Sequence, residues 1–173
     1  VSIMGLGPYL DRLVVNLSGG WKRRVAIVCA MVHDPSILFL DEPTAGLDTQ
    51  SRHMLWELIR GLNKRGKTVF ITTHYMDEAE ELCDRVAIID HGRIVRSGTP
   101  DELRDSIGRW TVEYHESGTK RYVYFRDWEK ARAFVSQMPE GAAAGIRATN
   151  LEDVFLETTG RDVQATEEVR FRI

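Results

Sequence analysis

Apolar positions in the first hundred residues alternate between helical spacing and short continuous runs. Trp21, Val25, Val28 and Val32 recur at helical spacing, which predicts a helix beginning after Ser18. The further strands predicted are 37–40, 68–72, 85–89 and 93–96, and the further helices are 50–64 and 76–83. Because strands alternate with helices, the pattern predicts an α/β fold with a parallel sheet layered with helices.

The pattern changes after about residue 105. Residues 110–114 and 121–125 alternate apolar or aromatic with polar positions on either side of a turn, which predicts an antiparallel hairpin. A helix over 128–138, a short strand near 146–148 and a helix over 150–158 should follow. We therefore predict a first domain over 1–107, a small α+β C-terminal appendage over 108–160 and a tail over 161–173.

Composition and charge narrow the classes of protein. The 23 Lys and Arg against 26 Asp and Glu give a net charge of −3, which excludes a generally basic nucleic-acid binder, so no nucleic-acid partner is expected. The longest uninterrupted apolar run, 25–32, is too short to span a bilayer. Cys29 and Cys83 make no disulfide framework and are expected to be reduced packing residues of a cytoplasmic protein.

The segment Leu17-Ser18-Gly19-Gly20 stands at the predicted start of the first helix. Its glycines leave backbone N–H groups accessible, and a helix N-terminus carries partial positive charge, so the segment can receive a phosphate. In the alternative interpretation Ser18 is only the N-cap residue of the helix, followed by flexible glycines.

Two predicted strands end in side chains suited to phosphate chemistry. Asp41 and Glu42 follow the strand over 37–40, at the edge where open α/β sheets bind their ligands. There Asp41 could hold Mg²⁺ and Glu42 could orient or deprotonate a water. His74 follows the strand over 68–72 and could donate a hydrogen bond to a phosphate. Taken singly, solvated carboxylates and a structural histidine remain the alternatives.

The order of these motifs resembles that of the ATP-binding cassette ATPases. In that family 17–20 corresponds to the signature sequence, 37–42 to the Walker B strand, 45–48 to the D-loop and His74 to the switch histidine. The resemblance covers roughly residues 10–104, and 151–160 resembles the C-terminal extension of drug-resistance-type exporters. It departs locally at Trp21, where the wider family usually has Gln, although the basic run after it is familiar in the drug-resistance branch.

The resemblance implies that two subunits share each nucleotide site. Ser18 and the backbone amides of Gly19 and Gly20 would contact ATP bound to a second nucleotide-binding subunit. Asp48 would couple the two sites across the dimer interface, although from the residues alone it could simply cap the helix that follows. Integral membrane permease subunits would be the remaining partners, and the chain would be cytoplasmic and peripheral at the inner face of the plasma membrane.

The resemblance also assigns catalytic roles within one subunit. Asp41 would hold Mg²⁺ beside the phosphates of ATP, and Glu42 and His74 would act in hydrolysis. The implied fold is a partial P-loop NTPase of the cassette type. The implied function is that of an ATP-hydrolysing subunit that powers transport, most simply export, through a permease.

One phosphate-loop pattern does occur, in the wrong setting. Residues 61–68 read Gly, four residues, Gly-Lys-Thr, but they follow a predicted helix and lead into a strand. A phosphate loop instead follows a strand and opens a helix, so we reject this match and expect Lys67 to be a solvated loop residue. In the cassette ATPases the phosphate loop lies upstream of the signature sequence. The resemblance therefore implies that this is the C-terminal part of a nucleotide-binding domain, which would be inactive alone and would expose an apolar sheet edge and face.

Two other functions are compatible with the motifs. A soluble cassette ATPase of repair or translation usually carries long coiled-coil insertions or two cassettes, and neither is visible. A non-catalytic interaction domain with a degenerate cassette is the second alternative. Intact Glu42 and His74 argue against it for a longer protein, whereas the chain by itself fits such a fragment. The missing half could also be a separate polypeptide.

Overall fold

The computed structural model describes residues 7–9, 11–139 and 143–160. Two compact units divide between Glu78 and Ala79. The first contains short 3₁₀ helices at Gly7–Tyr9 and Val14–Asn16, helices α1 (Gly19–Ala30) and α2 (Thr49–Asn63), strands β1 (Ile37–Asp41) and β2 (Thr68–Thr72), and the start of helix α3 (Met76–Leu82). The mixed α/β class is as predicted.

Strands β1 and β2 pair in parallel, as the alternation of strands and helices predicts. Their register runs from Ile37 opposite Thr68 to Asp41 opposite Thr72, so both strands end at the same edge. The residues that follow each strand therefore emerge side by side, which is the arrangement that the sequence predicts for the candidate site.

The two faces of this small sheet differ in exposure. On one face of the sheet Leu38 and Leu40 are buried. The buried residues of α2 are Leu55, Trp56, Ile59 and Leu62. On the other face Ile37, Phe39 and Phe70 are 53%, 73% and 56% exposed, and the two phenylalanine rings lie 5.5 Å apart. The predicted exposed apolar face is therefore present, although parallel sheets are normally covered on both sides.

The second unit is built mainly from antiparallel pairs. It contains β3 (Val86–Asp90), β4 (Arg93–Gly98), α4 (Pro100–Ile107), β5 (Trp110–Glu116), β6 (Thr119–Phe125), α5 (Trp128–Ser136), β7 (Ala144–Ala148) and α6 (Leu151–Thr159). Strand β3 pairs with β4, and a three-stranded sheet has the order β6-β5-β7. The predicted hairpin of β5 and β6 is confirmed, and β3 and β4 form a second one. The two turns place His91-Gly92 and Ser117-Gly118 at positive φ, as two-residue hairpin turns require.

The core of the second unit joins residues on both sides of the predicted domain boundary at 107/108. Leu103 and Ile107 of α4 are buried, as are Leu151 and Val154 of α6, and the two helices pack together. Gly108 ends α4 at φ 131°, where a Cβ atom would lie 2.8 Å from the carbonyl oxygen of Phe125. A separate appendage over 108–160 stays a prediction, and the predicted tail over 161–173 lies outside the described residues.

Helix α1 is less buried than its apolar spacing suggests. It ends at Ala30, before Val32, and its only buried residue is Ile27. Both cysteines are free thiols, but Cys29 is exposed and Cys83 is half-buried. The expectation that Cys29 packs in a core was wrong, because it lies on a part of α1 that no described element covers. Within the described part of the chain no helix is long and apolar enough to cross a membrane.

Candidate functional site

The carboxyl ends of β1 and β2 are joined by hydrogen bonds that continue the sheet by one residue. The Thr72 hydroxyl donates to Asp41 Oδ1, and the Glu42 N–H donates to the Thr72 carbonyl at 2.9 Å. A serine, threonine or other short donor is needed at position 72 for the first of these contacts. The pair therefore fixes the position of Asp41 and of the backbone that carries Glu42.

The backbone of Glu42 adopts an uncommon conformation. Its φ is +45°, in the left-handed region that costs a side-chain-bearing residue of order 1 kcal/mol. The Arg23 side chain of α1 holds this turn, because its Nη2 donates to the Glu42 carbonyl at 3.0 Å. Sequence reasoning missed Arg23; the basic run after the signature sequence was the available signal.

His74 lies directly against Glu42. Its Nδ1 is 2.8 Å from Glu42 Oε2, an ion-pair distance, and the two side chains are 62% and 36% exposed. The His74 ring also packs on the Tyr75 ring, with centroids 4.1 Å apart. The structure thus brings Asp41, Glu42 and His74 to one edge of the sheet, open to a ligand, and their catalytic roles stay predictions.

The signature segment opens α1 with an uncapped serine. Ser18 occupies the N-cap position with an extended backbone, but its hydroxyl makes no capping hydrogen bond. The first N–H groups of a helix have no partner within the helix. The interpretation of Ser18 as a side-chain cap is therefore not what the structure shows, and the segment keeps donors suited to an anion.

Asp48 is the N-cap of α2. Ser51 donates to its carboxylate twice, from the backbone N–H at 2.9 Å and from the hydroxyl at 2.7 Å. These two hydrogen bonds, the backbone one foremost, lower the pKa of Asp48. The capping role that the residues alone allowed is confirmed, and the coupling role across a dimer stays a prediction.

The start of α1 packs close to the start of α2. A Cβ atom on Gly20 would lie 3.0 Å from Ser51 Oγ and 3.1 Å from Ser51 Cβ, whereas one on Gly19 would meet only Leu47 Cδ2 at 3.8 Å. Gly20 is therefore the more tightly packed of the two glycines, and it lies against Ser51, whose N–H and hydroxyl donate to the Asp48 cap.

This difference gives a matched pair of substitutions. We expect Gly20→Ala to lower the free energy of unfolding by about 1–3 kcal/mol, because the added methyl group crowds Ser51. Gly19→Ala is expected to leave stability unchanged or slightly raised, since its methyl group meets an ordinary contact. Urea denaturation of the two variants measures the difference, and equal stabilities would contradict the packing argument.

The chemistry of the site fits Mg²⁺ only together with phosphates. Asp41 supplies one carboxylate, and within the described residues no group of three His, Cys, Asp or Glu side chains could hold an ion by itself. Mg²⁺ is typically bound by one or two carboxylates plus substrate phosphates and water. Asp41 would therefore hold an ion that arrives with a nucleotide.

The phosphate-loop pattern at 61–68 has the setting of a helix-to-strand connection. Gly61 lies inside α2, which ends at Asn63, and β2 begins at Thr68. Lys67 Nζ lies 2.6 Å from Asp34 Oδ1, and the lysine side chain is only 16% exposed. The helix-to-strand setting is confirmed; the expectation of a solvated Lys67 was wrong, because the ammonium is held by Asp34.

Fold and site together define an α/β protein whose candidate site lies at the carboxyl edge of a parallel sheet. The sequence model of the family described as "ABC transporter" matches residues 2–45. The chain is 42% identical over 174 aligned residues to Nod factor export ATP-binding protein I of Burkholderia orbicola (strain AU 1054), covering 89% of this chain and 57% of the relative. By these two matches the chain is similar to the ATP-binding proteins of the ABC transporter family.

Further relatives and solved structures show the same similarity. The protein of the same name from Sinorhizobium fredii is 39% identical, covering 89% of this chain and 50% of the relative. The structure of cbiO1 from Clostridium perfringens, part of the ABC transporter complex cbiONQ, matches with a TM-score of 0.55 at 37% identity, over 59% of this chain and 41% of that one. The ADP conformation of MJ1267, an ABC transporter cassette, matches with a TM-score of 0.55 at 28% identity, over 58% and 40%. The chain spans just over half the length of the first of these relatives.

Proposed function

We propose that this chain is part of the ATP-hydrolysing subunit of an ABC exporter, and that Asp41, Glu42 and His74 form its catalytic edge. The observation that carries the proposal is the Glu42–His74 contact of 2.8 Å next to Asp41, at the ends of two parallel strands. This edge is where α/β sheets bind their ligands.

In the proposed reaction Glu42 is the base. Its carboxylate accepts a proton from, or orients, the water that attacks the γ-phosphate, and His74 holds Glu42 and donates to that phosphate. Asp41 would hold Mg²⁺, and the ion would supply positive charge that neutralises the phosphates. The base is kept in place by two hydrogen bonds: the Glu42 N–H donates to the Thr72 carbonyl, and the Arg23 side chain donates to the Glu42 carbonyl.

The signature segment serves the neighbouring subunit in this proposal. The Ser18 hydroxyl and the N–H groups of Gly19 and Gly20 face ATP bound to the second subunit of a dimer. Asp48, at the start of α2, couples the two nucleotide sites across that interface. The uncapped Ser18 and the N–H groups that open α1 support this role, because both are donors placed where a helix favours an anion.

The relatives support export as the direction of transport. Those named here are called Nod factor export ATP-binding proteins, and cbiO1 is described as part of a larger transporter complex. We propose that integral membrane permease subunits are the partners, and that the longer protein works at the cytoplasmic face of the membrane. The cargo is set by those membrane subunits.

The proposal is tested by comparing the 173-residue chain with a longer protein that has the full length of its relatives. We expect the longer protein to hydrolyse ATP in a Mg²⁺-dependent manner. The chain alone should neither bind Mg-ATP tightly nor release phosphate, because its sequence has no loop that follows a strand and cradles the β- and γ-phosphates.

Calorimetric titration with Mg-ATP and a phosphate-release assay give the readouts. A longer protein without ATP hydrolysis would overturn the proposed function. Saturable micromolar binding to the isolated chain, lost in Lys67→Ala, would instead show that residues 61–68 form a phosphate loop after all.

A further inference from the structure

Helix α2 contacts the segment 73–78 at three points. This segment carries His74 and runs from the end of β2 into the first turn of α3. Arg52 Nη1 lies 3.2 Å from Asp77 Oδ2, and the Arg52 guanidinium lies over the Tyr75 ring, 5.2 Å from its centroid. One turn further along α2, Trp56 Nε1 donates to Glu78 Oε1 at 3.2 Å in the interior. The segment is therefore fixed to α2 at Tyr75, the neighbour of His74, and at two positions that follow it.

The innermost of these contacts is the most constrained. Glu78 is fully buried, and its second carboxylate oxygen has no hydrogen-bond partner within the described residues. Since an unpaired buried carboxylate is costly, the Trp56 hydrogen bond is hard to exchange for another arrangement. The Trp56–Glu78 bond therefore holds the end of the segment that lies farther from His74. The contacts of Arg52 hold the part that lies nearer to His74.

A continuous series of contacts then leads from α2 to the catalytic edge. Arg52 contacts Tyr75, the Tyr75 ring packs on the His74 ring at 4.1 Å, and His74 contacts Glu42 at 2.8 Å. His74 is 62% exposed, so its own surroundings confine it little. The Arg52 backbone is itself fixed, because its N–H donates to the Asp48 carbonyl at 2.9 Å.

We propose that Arg52 is a positioning residue that, through Tyr75, holds His74 against Glu42. The Asp77 carboxylate orients the guanidinium over the Tyr75 ring, and the His74 ring packs against the Tyr75 ring. Arg52 touches neither nucleotide nor water in this role. The consequence for catalysis rests on the proposed function; the positioning of His74 does not.

The test uses Arg52→Met, which keeps an unbranched side chain without the charge, and Arg52→Lys, which keeps the cation. The control is Arg60→Met on the same helix, where Arg60 pairs with Glu57 at 2.9 Å. In the 173-residue chain we expect the His74 ring-proton resonances to shift in Arg52→Met, because the Tyr75 ring current no longer reaches them, and to stay in place in the control. Arg52→Lys should restore most of the wild-type shift.

In the longer protein, kcat for ATP should fall about tenfold in Arg52→Met with KM little changed, because a displaced group impairs the chemical step more than binding. Unchanged His74 resonances in Arg52→Met would overturn the proposal, as would a kcat equal to that of Arg60→Met. If Arg52→Met does not fold, Tyr75→Leu, which removes the ring and keeps the Arg52–Asp77 pair, decides by the same two readouts. A longer protein that lacks ATPase activity refutes the proposed function alone, since the resonance shifts still decide the role of Arg52.

Discussion

Replacing Glu42 by Gln is expected to lower ATP hydrolysis by the full-length protein about 10²–10⁴-fold, the usual contribution of a general base. The amide keeps the size of the side chain and its place beside His74, but cannot accept the proton of the attacking water. ATP binding should persist, because the substitution leaves Asp41 and the signature segment intact. Single-turnover hydrolysis and a nucleotide-binding assay separate the two effects.

The matched control is Glu57→Gln, which removes an exposed carboxylate on α2 that pairs with Arg60 at 2.9 Å. We expect this variant to hydrolyse ATP at the wild-type rate. Near-normal turnover in Glu42→Gln would remove Glu42 from the role of base. Glu42 has a positive φ, but Gln and Glu have the same backbone preferences. A loss of ATP hydrolysis in Glu42→Gln therefore reports the loss of the base and not a change of the backbone.

Local patterns were sufficient to predict which edge of the sheet carries Asp41, Glu42 and His74. Two apolar runs of strand length, each followed by a polar residue of suitable chemistry, predict where Asp41 and His74 emerge. The parallel register of β1 and β2 then follows from the helix between them, because a right-handed crossover brings the strands side by side. Each step uses only neighbours along the chain and one general rule of topology.

Contacts between distant residues could not be predicted in this way. The Arg23–Glu42 bond joins residues 19 apart, and the Trp56–Glu78 bond joins residues 22 apart. Nothing in the spacing of charges distinguishes Arg23 from its neighbours in a basic run, and an acidic helix looks solvated until its partner is known. Lys67 was misassigned for the same reason, because Asp34 lies 33 positions away.

Within the predicted appendage, stability depends on a buried carboxylate, that of Asp153. Asp153 is 1% exposed, and Arg147 donates to both of its oxygens, at 2.6 and 2.8 Å. The Thr111 hydroxyl and the Asn150 N–H donate to the same carboxylate at 3.1 and 2.9 Å. The hydrogen bonds that Arg147 donates to Asp153 are the main reason that the pKa of Arg147 is raised. One buried carboxylate thus joins β5, β7 and the start of α6.

Asp153→Ala is expected to lower the free energy of unfolding of the second unit by about 3 kcal/mol, because it removes the buried acceptor that Arg147, Thr111 and Asn150 share, whereas Arg147 keeps its weaker contact with Glu113 at 3.5 Å. Asp105→Asn is the control: Arg109 donates to both Asp105 oxygens at 2.7 and 2.8 Å, but in solvent, so no measurable change is expected. Hydrogen exchange over β5–β7 gives the local stability. Equal protection in the two variants would show that burial adds nothing to the Asp153–Arg147 pair. In the wild-type chain, exchange over 108–160 as fast as in a free peptide would refute the predicted appendage.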